Sequence, residues 1–170
     1  KTSDIMKDDF IDYKGIDATD TKFKKESFSK VITSNLIHHI SHPMKLFNEV
    51  HRILKPNGLY IIQDVNFSYM LQLIILIMRI EGYDKTIDIF NDEIPCNDVN
   101  DPWSGNNIIP NLIFDNFEKF NSKIGNKFEI IHSKKNEFTS FLNSGGVISK
   151  TFHVPLNNLL NKFLIKLDNQ

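Results

Sequence analysis

Three histidines close together are the first feature of this sequence that could do chemistry. His38, His39 and His42 fall within five positions in the segment SNLIHHISHP. Imidazoles can bind a metal, act as a general base or position a substrate by hydrogen bonding. A metal site needs three or four convergent ligands, and we expect the side chains of the adjacent residues His38 and His39 to diverge. The spacing therefore predicts no metal site, and it leaves base and positioning group open.

Two short apolar runs must position these histidines. Residues 30–34 (KVITS) and 58–64 (GLYIIQD) lack polar alternation, which is typical of strands covered on both faces in a parallel sheet. Between them, Pro43 suits a first helical position, with Ser41 or His42 as the cap. One face of this helix is apolar and consists of Leu46, Phe47, Val50, Ile53 and Leu54. The other face is predicted to point to solvent and to form weak ion pairs among Lys45, Glu49 and Arg52. The pattern predicts a strand, helix, strand unit in which an Asn57-Gly58 turn connects the helix to the second strand.

For the remainder of the chain, the sequence predicts helices, loops and strands that are longer and less regular. We expect helices over 67–79 and within 111–120, an irregular loop over 91–110, and strands near 127–132 and 147–154. A C-terminal amphipathic helix is predicted by Leu156, Leu159, Leu160, Phe163, Leu164 and Leu167. We interpret its apolar face as core packing rather than a membrane surface, because its polar face carries only two lysines. The apolar window 70–78 is too short to span a bilayer, so it is a buried or interfacial helix.

Composition limits the classes of function. The chain has 170 residues, 41% of them hydrophobic, which suits one domain with a real core. Its 20 basic and 21 acidic residues are mixed along the chain, so no basic stripe offers a nucleic-acid site. The single cysteine, Cys96, excludes an internal disulfide and predicts a reducing, cytoplasmic location.

The segment before the histidines carries a family resemblance. Residues 17–31 (DATDTKFKKESFSKV) resemble the D-A-x-x-L-P-F-x-x-x-S-F-D-x-V segment of class I methyltransferases that use S-adenosylmethionine. The motifs SNLIHHI, EVHRILKPNG and YIIQD follow in the order of that family. The resemblance covers residues 1–64 and is looser afterwards. It implies an α/β Rossmann-like fold, a parallel sheet with helices on both faces, and methyl transfer to a small-molecule or glycan-like acceptor.

The resemblance also implies site residues. Asp4 stands where an acid binds the ribose hydroxyls, and Asp17 with the backbone of Ala18 stands where adenine is read. Phe23 is a wall of the adenine pocket or part of the core. The full set assigned to cofactor binding is Asp4, Asp17, Ala18, Phe23, Ser34 and Asn35. The resemblance places His38 and His39 on the loop that borders the sulfonium and the acceptor. We therefore expect at least one of them to line the active site, and both are assigned as catalytic residues, as base or as positioning group.

Two departures from the family pattern define the alternatives. Ser29 stands where the family usually carries an acid, and the chain contains no G-x-G-x-x-G motif. We therefore expect a chain truncated at its N-terminus, without the first strand and the glycine-rich loop, that binds cofactor weakly and is inactive alone. Residues 1–66 would be the C-terminal part of the cofactor-binding core. Residues 67–170 would add the remaining sheet elements and the helices and loops that cover the acceptor, within one domain.

Other functions stay open at this point. The chain can be a methyltransferase-like binding or scaffold domain without activity, or a peripheral membrane protein that uses the 70–78 and C-terminal helices. Trp103, Ser144, Gly145 and Gly146 either shape an acceptor pocket or pack a loop and a turn. The sequence predicts neither the acceptor, nor the atom that is methylated, nor the oligomeric state.

Overall fold

The structure, a computed structural model, describes residues 1–78, 82–101, 103–136 and 158–168. In chain order its elements are β1 (Ser3–Asp4), β2 (Tyr13–Lys14), β3 (Phe28–Ser34), a 3₁₀ turn (Ile37–His39), α1 (Pro43–Ile53), β4 (Leu54–Gln63), α2 (Tyr69–Met78), α3 (Ile109–Phe114), α4 (Phe117–Lys123) and α5 (Asn158–Asp168). The chain divides into two compact units. The first comprises Lys1–Val65 and Ile80–Glu129, and the second comprises Asn66–Arg79 and Ile130–Gln170. The predicted division into 1–66 and 67–170 stays a prediction.

A parallel pair of strands is the centre of the first unit. β3 and β4 run parallel, with Val31 opposite Tyr60 and Thr33 opposite Ile62. α1 connects them and buries the predicted apolar face, of which Leu46 and Phe47 are almost completely inaccessible. The predicted strand, helix, strand unit is therefore confirmed. His42 does take the N-cap position, but its side chain makes no capping hydrogen bond.

Only one face of this sheet is covered in the part of the chain that the structure describes. Val31, Tyr60 and Ile62 pack against the core on the α1 side, and the Phe47 ring meets the Tyr60 ring edge-on at 5.6 Å. On the opposite face Ile32 and Ile61 lie side by side and are exposed. The described residues thus contain the predicted parallel sheet, although helices on both of its faces are not seen.

The first part of β4 depends on glycine. Asn57 has a φ of 58°, in the left-handed region, and lies where the register of β4 against β3 shifts between the pairs Phe28–Leu54 and Lys30–Leu59. A Cβ atom on Gly58 would lie 2.8 Å from the carbonyl oxygen of Lys55, which is closer than packed atoms tolerate. The predicted Asn57-Gly58 turn does not connect α1 to β4, because β4 already begins at Leu54; these two residues instead form an irregularity within the strand.

Aromatic packing extends the core toward α3 and α4. The rings of Phe120 and Phe128 lie 4.8 Å and 5.7 Å from the ring of Phe47, both edge-on. The predicted helix over 111–120 is two helices, α3 and α4, with Asn116 as the N-cap of the second.

The strand predicted over 127–132 is wrong. The N–H and carbonyl groups of Phe128 bond to the side-chain amide of Asn121, at 3.1 Å and 2.6 Å, rather than to a neighbouring strand. The ring of Phe128 still packs on the core, so its apolar character is used without a strand. The strand predicted over 147–154 lies outside the described residues.

The second unit contains the two predicted apolar helices, α2 and α5. The hydroxyl of Ser68 accepts the N–H of Leu71 at 3.2 Å and so caps the start of α2. Our interpretation of α5 as core packing is wrong for Leu159 and Phe163, because both side chains are exposed. Among the described residues, no helix is both long and apolar enough to cross a bilayer.

Glu49 on α1 departs from its predicted place on the solvent face. Its side chain is buried, and it accepts hydrogen bonds from both the N–H and the hydroxyl of Thr21 and from the Arg52 guanidinium at 2.6 Å and 2.7 Å. The ion pair with Arg52 was predicted, but as a weak surface contact. The hydrogen bonds from Arg52, followed by those from Thr21, outweigh burial and lower the pKa of Glu49 to about 2. This carboxylate therefore fixes the 17–23 loop to α1.

We predict that Glu49→Gln lowers the free energy of unfolding at neutral pH by about 1 to 3 kcal/mol, because buried donors lose an ionised acceptor. The folded pKa lies below the ordinary value of 4.5. The stabilisation is therefore complete above that value and is lost as pH falls from there toward about 2. Denaturant unfolding at several pH values measures it. Glu129→Gln, at an exposed position, is the control. Equal stability of the Glu49→Gln and wild-type chains across this range would contradict the assignment.

Candidate active site

The carboxyl ends of β3 and β4 bring His38 and Asp64 together. The 3₁₀ turn that carries His38 follows β3, and Asp64 follows β4 directly. Because the two strands are parallel, these residues meet at one edge of the sheet. His38 Nδ1 lies 2.6 Å from Asp64 Oδ1, and the two side chains are only 4% and 3% exposed. The structure therefore contains a buried histidine-aspartate pair at the position where α/β proteins bind their ligands.

Asp64 also holds the backbone around the histidine. Its Oδ2 accepts the N–H groups of Leu36 and Ile37 at 3.1 Å and 2.7 Å, and its Oδ1 accepts the N–H of Val65 at 2.8 Å. A carboxylate is an acceptor, so the Nδ1–H of His38 donates to it, and in the neutral imidazole the lone pair is then on Nε2. This is the tautomer that a general base requires.

His39 lies beside His38 rather than diverging from it, which corrects our prediction. The two ring centroids are 4.1 Å apart and the ring planes are tilted by 42°. Nδ1 of His39 donates to the carbonyl of Ser104 at 3.1 Å. Each ring is thus oriented by its own acceptor, one a carboxylate and the other a backbone carbonyl.

A loop later in the chain is fastened to the histidines. The carbonyl of His38 accepts the N–H of Asn106 at 2.8 Å and the side-chain amide of Asn97 at 2.9 Å. Both asparagine side chains are buried. Sequence reasoning missed Asn97, Asn106 and the role of Asp64. Of these, Asp64 was recognisable, because it is an acid directly after a predicted parallel strand.

An open cleft of about 370 Å³ lies against this loop. Its wall includes the histidine partners Asn97, Ser104 and Asn106. It also includes the carboxylates of Asp84 and Asp98, the ring of Tyr83 and the thiol of Cys96. Burial, and then the nearby charges of Asp88 and Asp92, raise the pKa of the Cys96 thiol to about 11. The thiol is therefore protonated at neutral pH and is a poor nucleophile.

The two acids predicted to bind the cofactor follow a second parallel strand pair. Asp4 ends β1 and Asp17 follows β2, and the carbonyl of Asp4 accepts the N–H of Ile16 at 2.9 Å, which joins the two segments. Asp4 Oδ1 accepts the N–H of Met6 at 2.9 Å. Asp17 Oδ1 accepts the N–H and the hydroxyl of Thr19 at 2.8 Å and 2.7 Å. Both carboxylates are exposed, and each uses one oxygen to shape its own turn.

The remaining predicted cofactor residues lie in less open places. Ala18 is partly buried against the core, and the Phe23 ring packs edge-on between Tyr13 and Phe28, at 5.2 Å from each. Ser34 pairs with Gln63 in the sheet. Asn35, with a φ of 48°, turns the chain from β3 into the histidine loop. The structure thus places Ser34 and Asn35 at the same sheet end as His38, and Asp4 and Asp17 on the other strand pair.

These residues fit the nucleoside half of S-adenosylmethionine. Hydroxyl and amino groups of a nucleoside need acceptors, and exposed carboxylates at the carboxyl ends of parallel strands provide them. The methionine half needs close backbone approach, and the chain has no G-x-G-x-x-G motif for it. Among the described residues, no group of three or more His, Cys, Asp and Glu side chains converges to hold a metal ion.

Comparison with known proteins supports the resemblance. The family model described as a methyltransferase domain matches residues 2–62, which include β1 to β3, all of β4 except Gln63, the three histidines His38, His39 and His42, and the acids Asp4 and Asp17. The predicted resemblance to class I methyltransferases is therefore confirmed over this segment. Neither a search of curated proteins nor a search of solved structures found a match.

We predict that His38 carries its proton on Nδ1 when the imidazole is neutral, because Asp64 accepts from that atom. Nitrogen-15 NMR of the chain at alkaline pH measures the tautomer. The exposed His132 serves as an internal reference and should show a mixture of tautomers. The same mixture at His38, or a proton confined to Nε2, would contradict the geometry described above.

Proposed function

We propose that the protein is an S-adenosylmethionine-dependent methyltransferase that acts on a small-molecule or glycan-like acceptor, with His38 as its principal catalytic residue. The observation that carries this proposal is the buried His38–Asp64 pair: His38 lies within the segment that matches a methyltransferase domain, and Asp64 lies just after its end. S-adenosylmethionine, when bound, supplies an electrophilic methyl group on a sulfonium. The proposal assigns its nucleoside to Asp4, Asp17 and Ala18, with Phe23, Ser34 and Asn35 around it.

His38 is a better base than His39 for a physical reason. A base that takes a proton becomes an imidazolium, and the carboxylate of Asp64 at 2.6 Å stabilises that cation. The carbonyl partner of His39 carries only a partial charge. We therefore propose that Nε2 of His38 takes the proton from the hydroxyl or amine of the methyl acceptor. His39 would position that acceptor. The sequence left two roles open for His38, general base and positioning group, and we propose the first.

The cleft is our proposed acceptor site; its lining includes hydrogen-bond partners of both histidines (Asn97, Ser104 and Asn106) but not the histidines themselves. The described residues that line it include two carboxylates, Asp84 and Asp98, and no lysine or arginine. Hydrogen bonds from the hydroxyl and N–H of Thr86 lower the pKa of Asp84, so this group is ionised at neutral pH. A cleft with this charge disfavours phosphate or carboxylate groups and suits hydroxyls or amines. Trp103 is exposed and is not among the lining residues, and Ser144, Gly145 and Gly146 lie outside the described residues.

The alternative is a binding or scaffold domain that has kept the fold and lost catalysis. Ser29, in place of the family's acid, and the lack of a glycine-rich motif favour it. Cofactor binding and turnover by the full-length protein separate the two functions.

A cytoplasmic location stays part of the proposal and rests on the single, buried Cys96.

The cofactor assignment predicts that Asp17→Ala weakens binding of S-adenosylhomocysteine by the full-length protein by about 1 to 3 kcal/mol, because an adenine amino group loses its acceptor. Isothermal titration measures the affinity. Asp9→Ala removes an acid that is 97% exposed and should change nothing. Equal affinity of the Asp17→Ala and wild-type proteins would remove Asp17 from the site. A wild-type protein that binds no S-adenosylhomocysteine would favour the scaffold function.

The catalytic assignment predicts that His38→Ala lowers kcat of the full-length protein by more than about a hundredfold while the affinity for S-adenosylhomocysteine stays within about twofold, because the base touches the acceptor and not the nucleoside. His39→Ala should cost less. The wild-type rate should rise with pH as the imidazole loses its proton, and the His38→Ala rate should not. Full activity of the His38→Ala protein, or inhibition of the wild type by chelators, would overturn this assignment.

A further inference from the structure

The helix α2 presents an apolar stripe to solvent. Tyr69, Leu73 and Leu76 follow each other at spacings of four and three residues, which places them on one face of a helix. Their side chains are 92%, 50% and 75% exposed, whereas Ile75, on another face, is buried. α2 contains no charged residue. An uncharged helix with an exposed stripe of this kind is expected to be covered by something apolar.

The helix α5 carries a second exposed stripe, and here cations lie beside apolar side chains. Leu159 and Phe163 are four residues apart and are 79% and 56% exposed. Lys162 and Lys166 are also four residues apart, are exposed, and lie on the adjoining part of the same helix face. Lysines on the flank of an apolar stripe can keep their ammonium groups in water while their alkyl chains cover apolar surface.

The charge of the second unit has the same sign as these lysines. Over its described residues, 66–78, 130–136 and 158–168, it contains the four lysines Lys134, Lys135, Lys162 and Lys166 against Asp168 alone, a net charge of +3. The whole chain has a net charge of -1. Positive charge is thus concentrated in the unit that also exposes the apolar stripes.

We propose that the second unit binds the surface of an anionic lipid bilayer. Exposed apolar side chains enter the boundary between headgroups and acyl chains, and lysines add attraction to anionic headgroups. At a rise of about 1.5 Å per residue, α2 is about half the length that would cross the hydrocarbon core, so it lies on the membrane. A protein groove would account for the apolar stripes, but it gives no reason for the excess of lysines. The proposal rests on the second unit alone and does not depend on methyl transfer.

Vesicle cosedimentation of the full chain tests this proposal. We expect binding to phosphatidylcholine vesicles with about one third phosphatidylserine, at least about tenfold weaker binding to pure phosphatidylcholine, and a loss of affinity as salt is raised. The double variant Leu73→Ser with Leu76→Ser should bind the anionic vesicles at least about tenfold more weakly. Lys162→Gln with Lys166→Gln should weaken binding to a similar extent on anionic vesicles only.

Matched controls come from the first unit. Phe10→Ser removes an apolar side chain that is 93% exposed, and Lys24→Gln with Lys55→Gln removes two exposed cations. Both should bind the anionic vesicles as the wild type does, and circular dichroism should show that all variants keep their helices. No binding by the wild type, equal loss in the control variants, or equal binding to neutral vesicles would overturn the proposal. A stable dimer that the leucine substitutions dissociate would overturn it in favour of a second copy of the chain.

Discussion

The carboxylate of Asp64 connects the ends of β3 and β4, and the geometry of the active site follows from it. One of its oxygens accepts two consecutive N–H groups of the loop after β3, and the other accepts His38 Nδ1 and the N–H of Val65. A buried carboxylate is costly unless donors surround it, so the loop is held in the one conformation that supplies them. Removing this group would leave buried N–H groups without acceptors and His38 without orientation.

The chemistry that we propose depends on this connection in two ways. The tautomer of His38 is set by the partner of its Nδ1, and the stability of an imidazolium is set by the charge of that partner. The same loop carries the carbonyl that Asn97 and Asn106 bind, so the wall of the cleft is fixed to the histidine that would act on its contents. The site is thus assembled from three separate stretches of chain that share one carboxylate and one carbonyl.

Local signals predicted the parallel strands and α1, because apolar runs and proline or glycine punctuation act over a few residues. What the prediction missed depends on partners that are not adjacent in the sequence. Glu49 looks solvent-facing by helical periodicity, but Thr21 makes it a buried acceptor. Phe128 looks like a strand residue, but Asn121 satisfies its backbone. The rings of His38 and His39 lie together because Asp64 and the Ser104 carbonyl orient them, and neither acceptor is adjacent in sequence.

The most direct test is a double-mutant cycle between His38 and Asp64, in which the free energy of unfolding is measured for the wild type, His38→Ala, Asp64→Ala and the double variant. A buried, charge-assisted contact predicts a coupling of at least about 1 kcal/mol at a pH where Asp64 is ionised. It also predicts that His38→Ala is the less costly single change, since Asp64 serves the backbone as well. Additive effects of the two substitutions would contradict the claim that this pair organises the site.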